Sequence, residues 1–216
     1  CMLTLDEFIA IAKFGAKVEF SPEMQETVRA NRRLLDQFLA KGRIIYGVTT
    51  GFGENVRYTI SPEDASTLQE NIVRTHSVAV GEPLSRIQAR AIMLQTILNA
   101  GKGHSGIHLE TLELIRSMLN LDLIPYAPSE GSVGYLGVEA HLAMAYIGEG
   151  KIFDHGIAAP AAEVLHKNGL SPIKLACKEG LSMTNGTITV TALGLLAIYE
   201  ALTTMQNVEL AGGLCY

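Results

Sequence analysis

Pro128-Ser129-Glu130-Gly131-Ser132-Val133-Gly134-Tyr135-Leu136-Gly137-Val138-Glu139-Ala140-His141 is the stretch on which the reading of this chain turns. Proline, serine and glycine crowd its first seven positions, and an apolar run, Leu142 to Ile147, follows. Such a composition bends the backbone tightly and hands it to a helix N-terminus, whose first N–H groups lack partners inside the helix. The pattern predicts a tight turn opening onto a helix, a place that suits a reactive group.

The rest of the chain reads as helices joined by short connections. Ser21-Pro22-Glu23 supplies a serine N-cap, a proline at the first helical position and an acid in the first turn. Met24, Val28, Leu35 and Leu39 then share a face up to Gly42, while Arg29, Arg32, Arg33 and Asp36 fall mainly on a charged, wet side. Ser61-Pro62-Glu63-Asp64 opens a second helix by the same logic, running through Gln69 to His76 until Val80-Gly81-Glu82-Pro83 breaks it. Ser85-Arg86-Ile87-Gln88 has capping-box spacing for a helix reaching Gly101, and His108 to Asn120 repeats apolar residues at helical intervals. Leu121 to Ala127 reads as extended, Lys151 to Gly156 as a small hairpin, and Ala161 to His166 as a short helix stopped by Asn168-Gly169. Ile188 to Leu202 is almost continuously apolar, which predicts a helix buried on all sides.

Two glycine-rich stretches need separate treatment. Ile44 to Gly53 carries three glycines within seven residues, which marks close backbone turns with Tyr46 at their edge. Gly101-Lys102-Gly103-His104-Ser105-Gly106 fits the spacing of a dinucleotide fingerprint, but it follows a helix and sits between helices. The fingerprint needs a strand before it and a helix after it, so that reading is rejected. Asp154, His155 and His166 match no metal-site spacing.

Taken together, the motifs resemble the aromatic amino-acid ammonia-lyase family, which includes histidine, phenylalanine and tyrosine lyases and related aminomutases. Gly131-Ser132-Val133-Gly134, Ala140-His141 and Gly148-Glu149-Gly150 match that family's pattern. Tyr46-Gly47-Val48-Thr49-Thr50-Gly51-Phe52-Gly53 is similar to its Tyr-Gly-Val-Asn-Thr-Gly-Phe-Gly, and Lys178 to Thr187 is similar to its Lys-Glu-Gly-Leu-Ala-Leu-Leu-Asn-Gly-Thr. Thr75-His76 resembles the substrate-selecting pair of histidine lyases and some tyrosine aminomutases. In the family an Ala-Ser-Gly triad cyclises to methylidene-imidazolone (MIO). That triad is absent here, and its flanks stand three residues closer than in the family. The expectation carried forward is a cyclised triad between Gly134 and Tyr135, in preference to a true deletion. Tyr135-Leu136-Gly137-Val138-Glu139 also departs from the family's commonest Asp-Leu-Ala-Pro-Leu.

The resemblance implies a helical lyase fold, with residues 1–186 as an N-terminal MIO-bearing domain and residues 187–216 as the start of a long helical bundle. It implies loss of ammonia from an aromatic amino acid, histidine first, with a tyrosine lyase or tyrosine 2,3-aminomutase as the runner-up. If the triad is truly missing, the alternative is a non-catalytic scaffold. By the same resemblance Tyr46 is the general base, Asn185 contacts MIO or the amine, Gly47, Thr75 and His76 meet the substrate, and Gly134 and Tyr135 flank the modification. A free tyrosine titrates near 10, so a basic Tyr46 needs neighbouring donors or positive charge. The family assembles as homotetramers with shared active sites.

Composition sets bounds on partners. The chain's 216 residues are 48% hydrophobic, enough for a sizeable core, and a net charge of −5 gives no basic field for nucleic acid or anionic lipid. Cys1, Cys177 and Cys215 are odd in number and lack metal-ligand spacing, so reduced thiols are expected. No basic leader precedes an apolar core and no uninterrupted apolar run reaches a membrane span, so no membrane is expected and a cytoplasmic location is the default.

Overall fold

The computed structural model describes residues 3–51, 57, 64–132 and 136–215. Among them helices dominate: α1 (Leu5–Ala12), α2 (Pro22–Ala40), α3 (Ala65–His76), α4 (Arg86–Ala100), α5 (Leu109–Leu121), α6 (Gly137–Tyr146), α7 (Ala161–Lys167), α8 (Glu179–Thr184) and α9 (Ile188–Leu214). The strands are short: β1 (Val80–Pro83), β2 (Ile124–Pro125), β3 (Pro128–Glu130), β4 (Lys151–Asp154) and β5 (Ile157–Pro160). The mainly α class expected from the sequence is the one observed.

Helix starts follow the capping chemistry. The Ser21 hydroxyl accepts from Met24 N–H at 3.2 Å, and Ser85 and Gln88 form the expected capping box. A second box, Thr4 with Glu7, opens α1, a helix that the periodicity reading passed over although Thr4-x-x-Glu7 has the same spacing. The start expected at Ser61-Pro62-Glu63 lies outside the described residues, and α3 runs from Ala65. The helix after the central turn begins at Gly137, five residues before the apolar run at Leu142.

The helix buried all round is α4, whose Ala89, Ala91, Ile92, Met93, Leu94 and Ile97 are each at most 3% exposed. The helices α1, α5 and the first turns of α9 pack around it. The sequence obscured this role because α4 carries Arg90, which is itself 2% exposed. Its guanidinium donates to the carbonyls of Ile11 (2.8 Å), Ala12 (3.2 Å) and Leu119 (2.7 Å) and to Asp122 (2.8 Å). It thus closes the C-termini of α1 and α5, where bare carbonyls and the negative helix end favour a cation.

Arg32 corrects the expected wet face of α2. It is 9% exposed and donates to the carbonyls of Gly106 and Cys177 at 3.0 Å each, while Asp36 holds its other edge. A guanidinium satisfies several carbonyls at once, and a polarity pattern cannot distinguish that use from solvation.

The longest helix also departs from its pattern. In α9 only Ile188, Thr189 and Ala192 are buried, Leu195, Leu196 and Tyr199 pack partly on the core, and Ile198, Leu202, Met205, Val208 and Leu210 are exposed. Expectation of burial on all sides fails because nothing among the described residues covers the far half. By length and hydropathy alone the segment Glu179–Leu214 is apolar enough to cross a bilayer, a count the reading of uninterrupted runs did not make.

Two small sheets fix the ends of the central stretch. β1 pairs antiparallel with β3, setting Val80 opposite Glu130 and Pro83 opposite Pro128, while β2, β4 and β5 form an antiparallel sheet with Ile124 opposite Phe153. The expected hairpin after Lys151 is the β4–β5 pair. The β1–β3 pair brings the chain that leaves α3 beside the chain that enters the turn before α6.

Candidate active site

The described candidate site residues sit on three neighbouring pieces: the turn after α2, helix α3, and helix α8 with the loop that follows it. In the turn, Val48 and Thr49 N–H both donate to the Ile45 carbonyl, Ile45 N–H donates to the Thr49 hydroxyl at 2.8 Å, and Gly47 N–H donates to the Thr50 hydroxyl at 3.2 Å. Gly47 holds φ +66, a left-handed value that glycine adopts without a Cβ clash. Val48 and Thr50 are buried, whereas Tyr46 is 55% exposed. The turn is therefore anchored by its flanks and presents the tyrosine.

Gln69, fully buried in α3, connects these pieces. Its amide N–H reaches the Gly47 carbonyl at 3.5 Å, and its amide oxygen accepts from Leu181 N–H in α8 at 3.0 Å. The Cys177 thiol adds a second tie, donating to the Val48 carbonyl at 3.0 Å. Burial pushes that thiol's pKa up, which makes it a structural donor and not a nucleophile. Close approach of α8 to α3 depends on Gly180, since a methyl group there would run into the Gln69 carbonyl oxygen.

α8 is held from below by Glu179, which is 1% exposed. Its carboxylate accepts from the Thr111 hydroxyl (2.7 Å), His108 N–H (2.9 Å) and Ala176 N–H (2.9 Å), and the His108 ring stands 3.1 Å away. Burial alone would raise its pKa, but these hydrogen bonds outweigh it and hold the carboxyl below its ordinary value. Asn185 caps the end of α8 and is exposed, followed by Gly186 at φ +137.

Thr75 and His76 lie at the C-terminal end of α3, about 10 Å along its axis from Gln69. His76 Nδ1 stands 2.8 Å from the Ile72 carbonyl. A carbonyl only accepts, so Nδ1 carries a proton, and in the neutral ring Nε2 is then the acceptor. The end of α3 is fastened to the end of α6 by Arg74, whose guanidinium meets the Glu149 carboxylate at 2.6 and 3.0 Å. This gives the matched Gly148-Glu149-Gly150 a structural reason: Glu149 sits between two glycines at φ +81 and +75. His141 of α6 hydrogen-bonds the Ala79 backbone, and burial lowers its pKa.

Gly134 and Tyr135 lie outside the described residues. The group expected between them does not fit the chain, because Gly134 is followed directly by Tyr135 and the triad that would cyclise is absent. An apolar cleft of about 240 Å³ lined by Leu3, Ile11, Phe20, Met24 and Leu98 lies elsewhere and contains none of the site residues.

The sequence motifs name Tyr46, Gly47, Thr75, His76 and Asn185 as candidates but do not show the contacts between the segments that carry them. Gln69 and Glu179 were read only as members of a helix and a motif. Their signal is polar residues at positions that helical periodicity assigns to the interior.

The family profile "Aromatic amino acid lyase" matches residues 3–216. Histidine ammonia-lyase of Streptococcus sanguinis is 42% identical over 215 residues, 98% of this chain and 42% of that protein. Among solved structures, tyrosine aminomutase from Streptomyces globisporus superposes with a TM-score of 0.92 at 34% identity, over 96% of this chain and 39% of that one. Histidine ammonia-lyase from Trypanosoma cruzi gives 0.86 at 38% identity, over 93% and 39%. This chain thus spans less than half the length of these relatives, and its fold, motifs and match along nearly its whole length agree: the chain belongs to the aromatic amino acid lyase family.

Proposed function

We propose that the protein to which this chain belongs is a carbon–nitrogen lyase that eliminates the α-nitrogen of an aromatic amino acid, histidine before others, to give the trans-unsaturated acid. The observation that carries the reading is Gln69, which locks the turn presenting Tyr46 to the helix leading to Asn185. In this reading Tyr46 takes the β-proton, Asn185 hydrogen-bonds the nitrogen, and Thr75 and His76 meet the far end of the ring.

The tautomer of His76 supports the ring preference. An acceptor Nε2 pairs with a ring that offers a donor, which imidazole N–H and phenol O–H do and phenyl does not. That favours histidine or tyrosine over phenylalanine, and it keeps a tyrosine lyase or aminomutase as the second reading. The family's own electrophile is MIO, and the triad from which it forms is missing from the sequence.

The exposed apolar side of α9 supports a homotetramer with shared active sites, residues 187–216 being the start of the central bundle and residues 1–186 the domain that carries the site. A cytoplasmic location without nucleic-acid or membrane partners belongs to the same reading.

The test is a panel on the full-length protein: histidine, tyrosine and phenylalanine, each with the α-nitrogen free and fully methylated, followed by ultraviolet absorbance of the conjugated acid. Imidazole substrates are expected to react fastest. A β-amino acid product would favour the aminomutase reading, and absence of conjugated acid from every member would leave the scaffold alternative.

A further inference from the structure

The covalent chain decides what can be built at the turn before α6. No Ala-Ser-Gly occurs anywhere in the 216 residues, and Ser-Gly occurs only at Ser105-Gly106, in the connection between α4 and α5. On either side of the Gly134–Tyr135 join, the described residues Ser132 and Gly137 stand close to each other. A methyl group placed on Gly137 would lie in ordinary contact with Ser132, 3.5 Å from its Cβ. Leu136 adopts φ +73 and ψ −59, a conformation that costs a residue with a side chain about 1–3 kcal/mol and persists only where its surroundings impose it.

Glu139 supplies the brace. It stands where the family's commonest pattern has leucine, it is 3% exposed, and its Oε1 accepts from Thr189 N–H at 3.1 Å in the first turn of α9. A carboxylate at a helix N-terminus meets unpaired N–H groups and the positive helix end. It therefore fastens the start of α6 to the start of α9, four residues after Asn185. The three residues missing relative to the family pattern and this cross-link thus fall within one short stretch of sequence.

A free α-amine is a poor leaving group, and an added electrophile solves that by capturing it. Without one, the α-ammonium of a free amino acid can give its N–H proton to the base and become an amine that does not leave, whereas a quaternary nitrogen has no N–H to lose and departs as a neutral amine. We propose that this site works without a backbone-derived electrophile and takes imidazolyl substrates whose α-nitrogen is a quaternary ammonium, a proposal that rests on the elimination reading above. A base removes one β-proton, the C–H electron pair becomes the new C=C bond, and the C–N pair leaves with the nitrogen as a tertiary amine. The products are the trans-unsaturated carboxylate, the amine and one proton, with no oxidant or reductant needed.

Two measurements on the full-length protein test this. Cleavage after Glu130 and Glu139 releases the peptide Gly131–Glu139 for mass measurement. Its mass is expected to equal the sequence as it stands; an excess of Ala-Ser-Gly less two waters would overturn the proposal. Amine release is then compared for L-histidine and its Nα-trimethyl betaine, with trimethylamine expected at least about 100-fold faster than ammonia. Ammonia release at a comparable rate overturns the proposal and leaves the lyase reading standing. Release from neither substrate, nor conjugated acid from any tyrosine or phenylalanine form, overturns both.

Discussion

Glu179 Oε1 accepts the Thr111 hydroxyl at 2.7 Å across 68 positions of sequence, and this buried bond sets the height of α8 on α5. Removing the carboxylate leaves two backbone N–H groups and a hydroxyl without a partner. Glu179→Ala is expected to cost about 3 kcal/mol, a fall of several degrees in Tm, because each lost bond to a charged group contributes about 1.5–3 kcal/mol before relaxation. A thermal melt within a degree of the parent would contradict the assignment.

Gly180 and Gln69 make a paired prediction. Gly180→Ala forces a methyl against the Gln69 backbone and is expected to cost about 1–3 kcal/mol. Gln69→Leu keeps the volume but removes the tie between Gly47 and Leu181, so turnover should fall more than stability. Equal losses in both quantities would make Gln69 a packing residue only.

Arg74 and Glu149 form the contrasting case, a pair with both partners more than a third exposed. Glu149→Gln should change stability by under about 1 kcal/mol despite the short contact, since solvent screens such pairs. Chemical denaturation reads this directly, and a change of several kcal/mol would show that the pair carries more of the α3–α6 contact than its exposure implies.

The pH dependence of stability follows from two signs. Burial holds His141 below the ordinary 6.5, so its contribution is complete above 6.5 and is lost as pH falls from there towards its lowered folded value. Glu179 and Glu149 are also held below their ordinary 4.5, so their contributions are complete above 4.5 and are lost as pH falls through their folded values. Tm is expected to be level from pH 8 to 7, to decline below 6.5, and to drop more steeply below 4.5. His141→Gln should flatten the first decline. A Tm that rises between pH 7 and 5 would contradict the His141 assignment.

Much of this was readable from residue types alone. Ser21, Ser85 and Gly42 mark helix ends by local chemistry, and local chemistry survives folding unchanged. The burial of Arg90 and Arg32 was not readable, because it depends on carbonyls that only the folded chain brings together. The mistaken burial of α9 has the same origin: Ile198 and Leu202 are as apolar as Ile92, and hydropathy does not say whether a partner is at hand. At the site, Tyr46 and Asn185 came from motif resemblance, while Gln69, their link, is one polar residue on an inward helix face. Glu139 was visible as a departure from the family pattern, but its reach to Thr189 required the fold.

The proposed elimination depends on proton removal at the turn that presents Tyr46. The measurement is turnover of an imidazolyl substrate by full-length protein and its Tyr46→Phe variant, followed as the conjugated acid, with circular dichroism confirming equal folding. Loss of at least about 1,000-fold in kcat with little change in KM is predicted, within the range a positioned base contributes. A variant within a few-fold of the parent would show that another group takes the proton.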